Sequence, residues 1–99
     1  MYQLTIVLPC YNPVHGWEKQ VLEGYDSVVT HLGFKPELIV VNDGSSSNID
    51  ESAIDFLKKS IADFRFESYS INRGKGAALR YGIEKATATK VIFTDIDFP

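Results

Sequence analysis

The chain alternates between short apolar runs and longer segments whose apolar residues recur about every 3.6 positions, and this alternation most constrains its fold. The strongest runs are Leu4–Leu8, Glu37–Val41 and Val91–Thr94, while residues 66–71 alternate between apolar and polar side chains. Short β-branched runs bounded by Pro, Asn, Asp or Gly predict strands, and continuous apolar runs predict strands buried on both faces. We therefore expect three buried strands and one half-exposed strand.

The intervening segments have the periodicity of amphipathic helices. The first extends from Trp17 to Leu32 and is ended by Gly33. The third runs from about Lys75 to Ala86 and contains small residues that allow close packing on a sheet. The apolar stripe of the second helix consists of Ile54, Leu57, Ile61 and Phe64.

The resulting order, β-α-β-α-β-α-β, predicts an α/β fold with a Rossmann-like, doubly wound parallel sheet and right-handed crossovers. We expect one domain over residues 1–99, since a chain of 99 residues holds a single core. Ten basic and thirteen acidic residues give a net charge of −3, which provides no general attraction to nucleic acid. The single cysteine, Cys10, excludes an internal disulfide, and no segment has the pattern of a signal peptide or a membrane span. We expect a cytoplasmic domain.

Ligands of doubly wound sheets bind beyond the carboxyl ends of the strands, so the residues that follow each strand are the candidate site. Asp95 and Asp97 follow the last run, and alternation directs both carboxylates to one side, where they could hold Mg²⁺ or Mn²⁺ against a diphosphate. The same spacing is also typical of a turn or a helix N-cap.

Asp43 follows the second run, within a segment whose Gly and Ser residues are typical of a turn. Its carboxylate is directed towards the crevice, where it could accept a hydrogen bond from a nucleobase N–H group. Arg73 and Lys75 lie with two glycines at the start of the third helix, and such helix starts favour phosphate. A solvated loop with ordinary basic residues is the alternative.

Pro9 is expected to end the first strand, because proline lacks the N–H group that a central strand donates. Tyr11 could stack on a flat base. Cys10 is interpreted as a small buried hydrophobic residue; a reactive pair with His15 is the alternative. His31 is expected on the surface of the first helix.

Four motifs in this order resemble the nucleotide-sugar-binding half of family 2 glycosyltransferases, which have the glycosyltransferase A fold. They are Ile-Val-Leu-Pro-Cys-Tyr-Asn (6–12), Val-Val-Asn-Asp-Gly-Ser (40–45), Asn-Arg-Gly-Lys-Gly-Ala-Ala-Leu (72–79) and Thr-Asp-Ile-Asp (94–97). The third motif is most similar to the branch that makes polyprenyl- or dolichyl-phosphate sugars.

The resemblance implies a nucleoside diphosphate sugar, UDP- or GDP-linked, bound with Mn²⁺ or Mg²⁺. It assigns a role to each matching residue. These residues are Pro9 and Tyr11 (base and ribose pocket), Asp43 (base), Lys75 with Arg73 (base or diphosphate), Asp95 (ribose, metal) and Asp97 (metal). The family more often has aspartate where this chain has Asn42, and we expect base binding to survive that change.

The resemblance further implies transfer of the sugar to an acceptor with inversion, by a general base that no residue of this chain supplies. We therefore expect a piece of a longer enzyme in which the strands have the order third, second, first, fourth. The fourth strand would then be an open edge of the sheet, and we expect two copies of the chain to form a homodimer through it. A receiver-like signalling domain and an Asp-x-Asp phosphatase need acidic residues after the first strand, where this chain has Pro9–Asn12. A nucleotide-binding module without transferase activity stays open as the alternative.

Overall fold

The computed structural model describes residues 3–46 and 49–95, which form four strands and three helices in the expected alternating order. The elements are β1 (Thr5–Cys10), α1 (Trp17–Leu32), β2 (Glu37–Asp43), α2 (Glu51–Ser60), β3 (Phe64–Tyr69), α3 (Lys75–Lys85) and β4 (Val91–Phe93).

All four strands are parallel and have the order β3-β2-β1-β4, as the family resemblance implied. Thr5 of β1 pairs with Glu37 on one side and with Val91 on the other, and β2 pairs with β3 on its second side, so β1 and β2 are the central strands. All carboxyl ends consequently lie at one edge of the sheet, where the predicted site residues belong.

Helices cover both faces of the sheet, which confirms the doubly wound fold. Because successive side chains of a strand point to opposite faces, Ile6 and Leu8 pack with α1 and α2, whereas Val7 packs with Ala78 of α3. The residues of β1 and β2 are almost all buried, and this double coverage explains their continuous apolar runs.

The small residues of α3 allow the close approach to the sheet that their size predicted. A Cβ atom added at Gly82 would lie 2.4 Å from Cγ1 of Val7 and 3.2 Å from Cγ2 of Val41. Gly82 is buried, and Ala78 is completely buried one turn earlier. The distance between α3 and the sheet is therefore set by the absence of side-chain atoms at Gly82.

The prediction that Pro9 ends the first strand is wrong, since β1 continues through Pro9 to Cys10. The N–H group of Thr5 donates to the carbonyl oxygen of Lys90, directly before β4, so the backbone nitrogens of residues 5, 7 and 9 face β4. The pairing with β4 ends at Val7, and Pro9 pairs only with Val41 of β2. Proline is tolerated there because no ladder hydrogen bond is required on the side that its nitrogen faces.

The predicted boundary between the second helix and the third strand is also wrong. Helix α2 ends at Ser60, and Phe64, which we assigned to the helical stripe, is the first residue of β3. Pairing with β2 fixes this register, because Phe64 lies opposite Leu38 and the N–H group of Leu38 donates to Asp63. The strand therefore begins two residues earlier than predicted and ends at Tyr69.

Strand β4 is short and, within the described ranges, pairs only with β1. Ile92 and Phe93 are 47% and 57% exposed, so the expectation that this third apolar run forms a buried strand is wrong. No described helix or strand covers these side chains, and this edge presents them to solvent. Self-association through it stays a prediction. No helix in the described parts of the chain combines the length and the apolar character that a bilayer crossing requires.

Candidate functional site

A cavity of about 370 Å³ opens at the carboxyl ends of β1, β2 and β4. It lies where ligands of doubly wound sheets bind. Five of the seven predicted site residues line it, together with three that were not predicted to do so. The lining residues are Pro9, Cys10, Tyr11, Asp43, Asn72, Gly74, Lys75 and Asp95.

The end of β1 forms one wall of this cavity. Tyr11 is half exposed, so its ring is accessible to a ligand. Cys10 is buried, and burial raises the pKa of its thiol to about 12, which keeps it protonated near neutral pH. His15 lines a different cavity, of about 220 Å³, beside Trp17 and Asp50. Cys10 is thus a buried thiol without an activating histidine, as predicted.

Asp43, at the end of β2, is only 4% exposed and accepts four hydrogen bonds with its carboxylate. Oδ1 accepts from the Tyr69 hydroxyl at 2.5 Å and from the N–H group of Arg73 at 2.9 Å. Oδ2 accepts from Nδ2 of Asn72 at 2.9 Å and from the N–H group of Gly74 at 3.0 Å. Asp43 therefore connects β2 to the segment between β3 and α3.

Two asparagines organise the neighbouring segment between β2 and α2. Oδ1 of Asn42 accepts from the N–H group of Ser45 at 3.1 Å and from its hydroxyl at 2.6 Å. The backbone N–H group of Asn12 donates to the Ser45 hydroxyl, and its side chain exchanges hydrogen bonds with Ser46. The amide of Asn42 also donates to the Ser68 hydroxyl at 3.2 Å, which an aspartate carboxylate could not do.

Among the predicted site residues that the structure describes, Arg73 is the one that does not line this cavity. Its guanidinium lies 5.2 Å from the centre of the Tyr69 ring, and it lines a second cavity with Arg80 and Tyr81 of α3. The backbone of Arg73, by contrast, donates to Asp43. A contact between its side chain and a diphosphate stays a prediction.

Lys75 and Asp95 form an ion pair beside the cavity, with Nζ of the lysine 2.6 Å from Oδ1 of the aspartate. Both side chains are more than half exposed, so water and ligands can reach both charges. The pair connects the first turn of α3 to the residues after β4. Asp97, the other predicted metal ligand, lies outside the described residues.

A family model described as "Glycosyl transferase family 2" matches residues 5–98 of the chain. The chain belongs to this family.

The chain is similar in sequence to two staphylococcal synthases. The chain is 37% identical over 95 residues to a poly-β-1,6-N-acetyl-D-glucosamine synthase of Staphylococcus epidermidis and 38% identical to one of Staphylococcus aureus. Each alignment covers 95% of this chain and 21% of the relative, so the chain spans about a fifth of the length of these synthases.

Solved structures of glycosyltransferases share the fold. The mannosyltransferase PcManGT from Pyrobaculum calidifontis, in complex with GDP-Man and Mn²⁺, superposes with a TM-score of 0.70 at 24% identity over 97% of this chain and 28% of its own. TarS residues 1–349 from S. aureus give a TM-score of 0.66 at 17% identity, over 96% of this chain and 27% of that one. The chain therefore has part of the glycosyltransferase A fold.

The family motifs identified the strand ends but not all residues that shape this cavity. Asn72 and Gly74 lie in the motif of residues 72–79, in which only the two cations were expected to bind a ligand. The contacts of Asn72 and Gly74 with Asp43 were not predicted. Tyr69 was assigned only to a strand, although its hydroxyl donates to Asp43. A buried acid at a strand end is a signal that nearby polar groups serve as its donors.

Proposed function

We propose that this chain binds the donor of a glycosyltransferase reaction, a nucleoside diphosphate sugar, at the cavity beyond β1, β2 and β4. The observation that carries this proposal is the convergence of Tyr11, Lys75 and Asp95 on that one cavity. An accessible aromatic ring suits a base, and an exposed ammonium suits a diphosphate. An exposed carboxylate suits a ribose hydroxyl or a metal ion. In that reaction, the sugar would pass to an acceptor hydroxyl or phosphate with inversion.

The carboxylates after β4 have the chemistry that a divalent metal requires when substrate phosphates supply its other ligands. In residues 3–46 and 49–95, no group of three His, Cys, Asp or Glu residues could hold an ion on its own. Mg²⁺ and Mn²⁺ are commonly held by one or two carboxylates together with substrate phosphates, and Asp95 with the predicted ligand Asp97 would match that arrangement. When bound, such an ion would neutralise charge on the departing diphosphate. Lys75, already paired with Asp95, would add a second positive charge near that diphosphate.

The names of the relatives bear on the base, the sugar and the acceptor. The staphylococcal relatives are named as synthases of an N-acetylglucosamine polymer, and the P. calidifontis structure contains GDP-Man and Mn²⁺. These names support a UDP- or GDP-linked sugar. The narrower prediction, a polyprenyl- or dolichyl-phosphate sugar synthase, has no support from the relatives described above. We assign no general base among the described residues.

Calorimetric titration of the chain with GDP and UDP tests the proposal. At least one of the two should bind, and its affinity should fall about tenfold or more when Mn²⁺ is replaced by EDTA. Parallel titrations with Mg²⁺ establish which ion is preferred. Asp97→Asn should weaken binding in Mn²⁺ by about tenfold, an order expected for a charged contact, while its affinity in EDTA changes little. Asp95→Asn should weaken binding in both buffers, because its carboxylate is proposed to contact the ribose as well as the metal.

Asp55→Asn is the matched control, because it removes the same charge from an exposed position on α2. It should leave both affinities unchanged. Failure of the unaltered chain to bind either nucleotide would contradict the proposal. Nucleotide binding that is equal in Mn²⁺ and EDTA would contradict only the metal, and would favour a nucleotide-binding module over a metal-dependent transferase.

We also propose that isolated copies of the chain associate through the exposed edge of β4. Ile92 and Phe93 of β4 present apolar side chains there, and no other strand of the described residues pairs with the outer edge of β4. A second copy can therefore pair with the backbone of this strand and cover its apolar side chains. Light scattering at about 100 μM should give the mass of a dimer, and Phe93→Glu should give a monomer. Leu32→Glu, at an exposed apolar residue on α1, should remain dimeric. A monomeric unaltered chain at this concentration would exclude the dimer.

A further inference from the structure

We propose that Asn12 is a positioning residue that holds the turn after β1 (residues 11–13) against the segment between β2 and α2, and so fixes the Tyr11 ring beside the nucleotide cavity. Tyr11 lines this cavity, whereas Asn12 does not. The inference rests on the proposed function, because it concerns how the aromatic side chain of that site is held. It gives a role to a residue that the sequence motifs included but did not assign.

The backbone of Asn12 has a conformation that the local sequence disfavours. Its φ angle is +45°, and within residues 3–46 and 49–95 it is the only non-glycine residue with a positive φ. L-residues rarely adopt this left-handed region, although asparagine tolerates it better than most. The next residue is Pro13, and a residue before proline normally has an extended conformation. Contacts with other parts of the fold must therefore hold the turn in place.

Three hydrogen bonds provide that restraint, and each joins Asn12 to a residue 33 or 34 positions later in the chain. The backbone N–H group of Asn12 donates to the Ser45 hydroxyl at 2.9 Å. In the side chain, Oδ1 accepts from the N–H group of Ser46 at 2.8 Å, and Nδ2 donates to the Ser46 hydroxyl at 2.9 Å. This reciprocal pair needs a short side chain that is both an acceptor and a donor, which asparagine provides.

The residues that hold Asn12 are themselves anchored to the sheet. The Ser45 hydroxyl donates to Oδ1 of Asn42 at 2.6 Å, and the Ser45 N–H group donates to the same oxygen at 3.1 Å. Asn42 is a residue of β2, and its Nδ2 donates to the Ser68 hydroxyl of β3 at 3.2 Å. Asn12 is therefore connected through Ser45 and Asn42 to two strands, so the turn rests on a rigid support.

Tyr11 is the residue that gains from this support. Strand β1 ends at Cys10, so the strand ladder does not fix Tyr11, and its ring is 50% exposed. The direction of such a side chain depends on the backbone on either side of it, which here is that of Cys10 and Asn12. A ring held in place before the ligand arrives loses less conformational entropy when a base stacks on it. Asn12 thus strengthens nucleotide binding through Tyr11 and without a ligand contact of its own.

A double-mutant cycle between Asn12 and Tyr11 tests this coupling. Calorimetry in Mn²⁺ measures the affinity for GDP or UDP, whichever binds the unaltered chain. Asn12→Ala should weaken it by about fivefold, the order expected when a side chain must be immobilised on binding, and Tyr11→Ala by about tenfold. In the Tyr11→Ala background, Asn12→Ala should cost less than about twofold, because the ring through which it acts is absent. An equal loss in both backgrounds would overturn the proposal, as would an unchanged affinity in Asn12→Ala.

An additional variant separates the side-chain contacts from the backbone conformation. Asn12→Gly introduces a residue for which the positive φ is unstrained, but it removes both side-chain bonds to Ser46. It should therefore bind as weakly as Asn12→Ala. Full affinity in Asn12→Gly would show that the backbone conformation alone positions Tyr11, and the role of the asparagine side chain would be wrong.

The partner residue provides a milder test with a matched control. Ser46→Ala removes the hydroxyl that accepts from Nδ2 of Asn12 and leaves the other two bonds, so the affinity should fall by about twofold. Ser60→Ala removes an exposed hydroxyl of α2 that donates to the carbonyl oxygen of Phe56, and it should not change the affinity. Equal affinities of these two variants would contradict the contribution of the side-chain contact.

Fluorine NMR of the ligand-free chain distinguishes a failure of this proposal from a failure of the proposed function. The chain has five tyrosines, and after fluorotyrosine labelling the Tyr11 resonance is the one that disappears in Tyr11→Phe. In Asn12→Ala that resonance should narrow and move towards the position of free fluorotyrosine, while the resonance of the buried Tyr25 stays in place. An unchanged Tyr11 resonance would overturn the positioning role. If no nucleotide binds the unaltered chain, the proposed function fails, and the spectrum still decides whether Asn12 positions Tyr11.

Discussion

Strand β2 has a buried acidic residue at each end, and the two are used differently. Glu37, at its start, is 2% exposed and accepts from the Thr5 hydroxyl at 2.8 Å and from the Thr87 N–H group and hydroxyl at 3.0 and 3.1 Å. Arg65 lies 3.9 Å from its other oxygen and also donates to the carbonyl oxygen of Lys85 at 2.7 Å. This network closes the amino edge of the sheet around the end of α3, and none of its members lines the candidate cavity.

Asp43, at the other end of the strand, holds the start of α3 instead. Its partners include two backbone N–H groups, and two of the residues that it holds, Asn72 and Gly74, line the cavity. Helix α3 is therefore held at both ends by carboxylates of one strand. The amino end of that strand contributes stability alone, whereas the carboxyl end contributes stability and the shape of a site. This division agrees with the binding of ligands at the carboxyl edges of such sheets.

The largest effect that tests this comparison is the loss of the Glu37 carboxylate. Glu37→Ala should lower the free energy of unfolding by about 3 kcal/mol, because several buried donors lose their acceptor. Asp43→Ala should lower it by about 2 kcal/mol, since water in the open cavity can reach some of the released donors. Urea denaturation followed by circular dichroism measures both values.

Nucleotide affinity should rank the two variants in the opposite order. Asp43→Ala should bind nucleotides about tenfold more weakly, while Glu37→Ala, measured where it is fully folded, should bind like the unaltered chain. Glu67→Ala is the control for Glu37, because it removes a less buried acid that also lies near Arg65. A binding defect in folded Glu37→Ala would show that both ends of β2 shape the site, and the comparison would fail.

A smaller effect on stability distinguishes the first turn of α3 from its middle. Gly82→Ala should cost about 1–2 kcal/mol, because the added methyl group collides with Val7 and the gain in helix propensity offsets only part of that strain. Gly76→Ala on the same helix should instead stabilise the chain by about 0.5 kcal/mol, since space is available there. Thermal unfolding of both variants measures the difference. Equal stabilities would mean that the two carboxylates alone position α3.

The smallest effect concerns Tyr69, one of the donors to Asp43. Burial, the hydrogen bond to Asp43 and the negative charge of its carboxylate together raise the pKa of the Tyr69 hydroxyl to about 12. Absorbance titration should therefore resolve one tyrosine that ionises about two pH units above the ordinary value of 10.

The sign of the linked stability follows from this raised pKa. The folded chain keeps the Tyr69 proton when the unfolded chain has lost it, so the contribution is complete below pH 10 and is lost as the pH rises towards 12. The raised pKa of the buried Cys10 thiol also lowers the stability of the folded chain over an overlapping range of pH. This contribution is the same in the Tyr69→Phe variant, so it cancels when the two proteins are compared. The difference in unfolding free energy between the two proteins should shrink above pH 10. A constant difference would show that Tyr69 does not share its proton with the Asp43 network.

The sequence by itself determined the order of the elements, the double coverage of the sheet and the strand ends at which the site lies. These features depend on periodicity and on residue types within single segments, such as the apolar run of β1 and the small residues of α3. The family resemblance added the strand order and grouped Pro9, Tyr11, Asp43, Lys75 and Asp95, which the structure brings to one cavity.

Only the tertiary structure decided which of these side chains already have partners within the chain and which are accessible to a ligand. The donors to Asp43 are 26 to 31 residues away in the chain, and the Lys75–Asp95 pair joins residues 20 apart, so sheet register and crossover geometry create both. The same long-range pairing allowed β1 to continue through Pro9 and started β3 at Phe64. A hydrogen bond between distant residues depends on the path of the whole chain, which local periodicity does not encode.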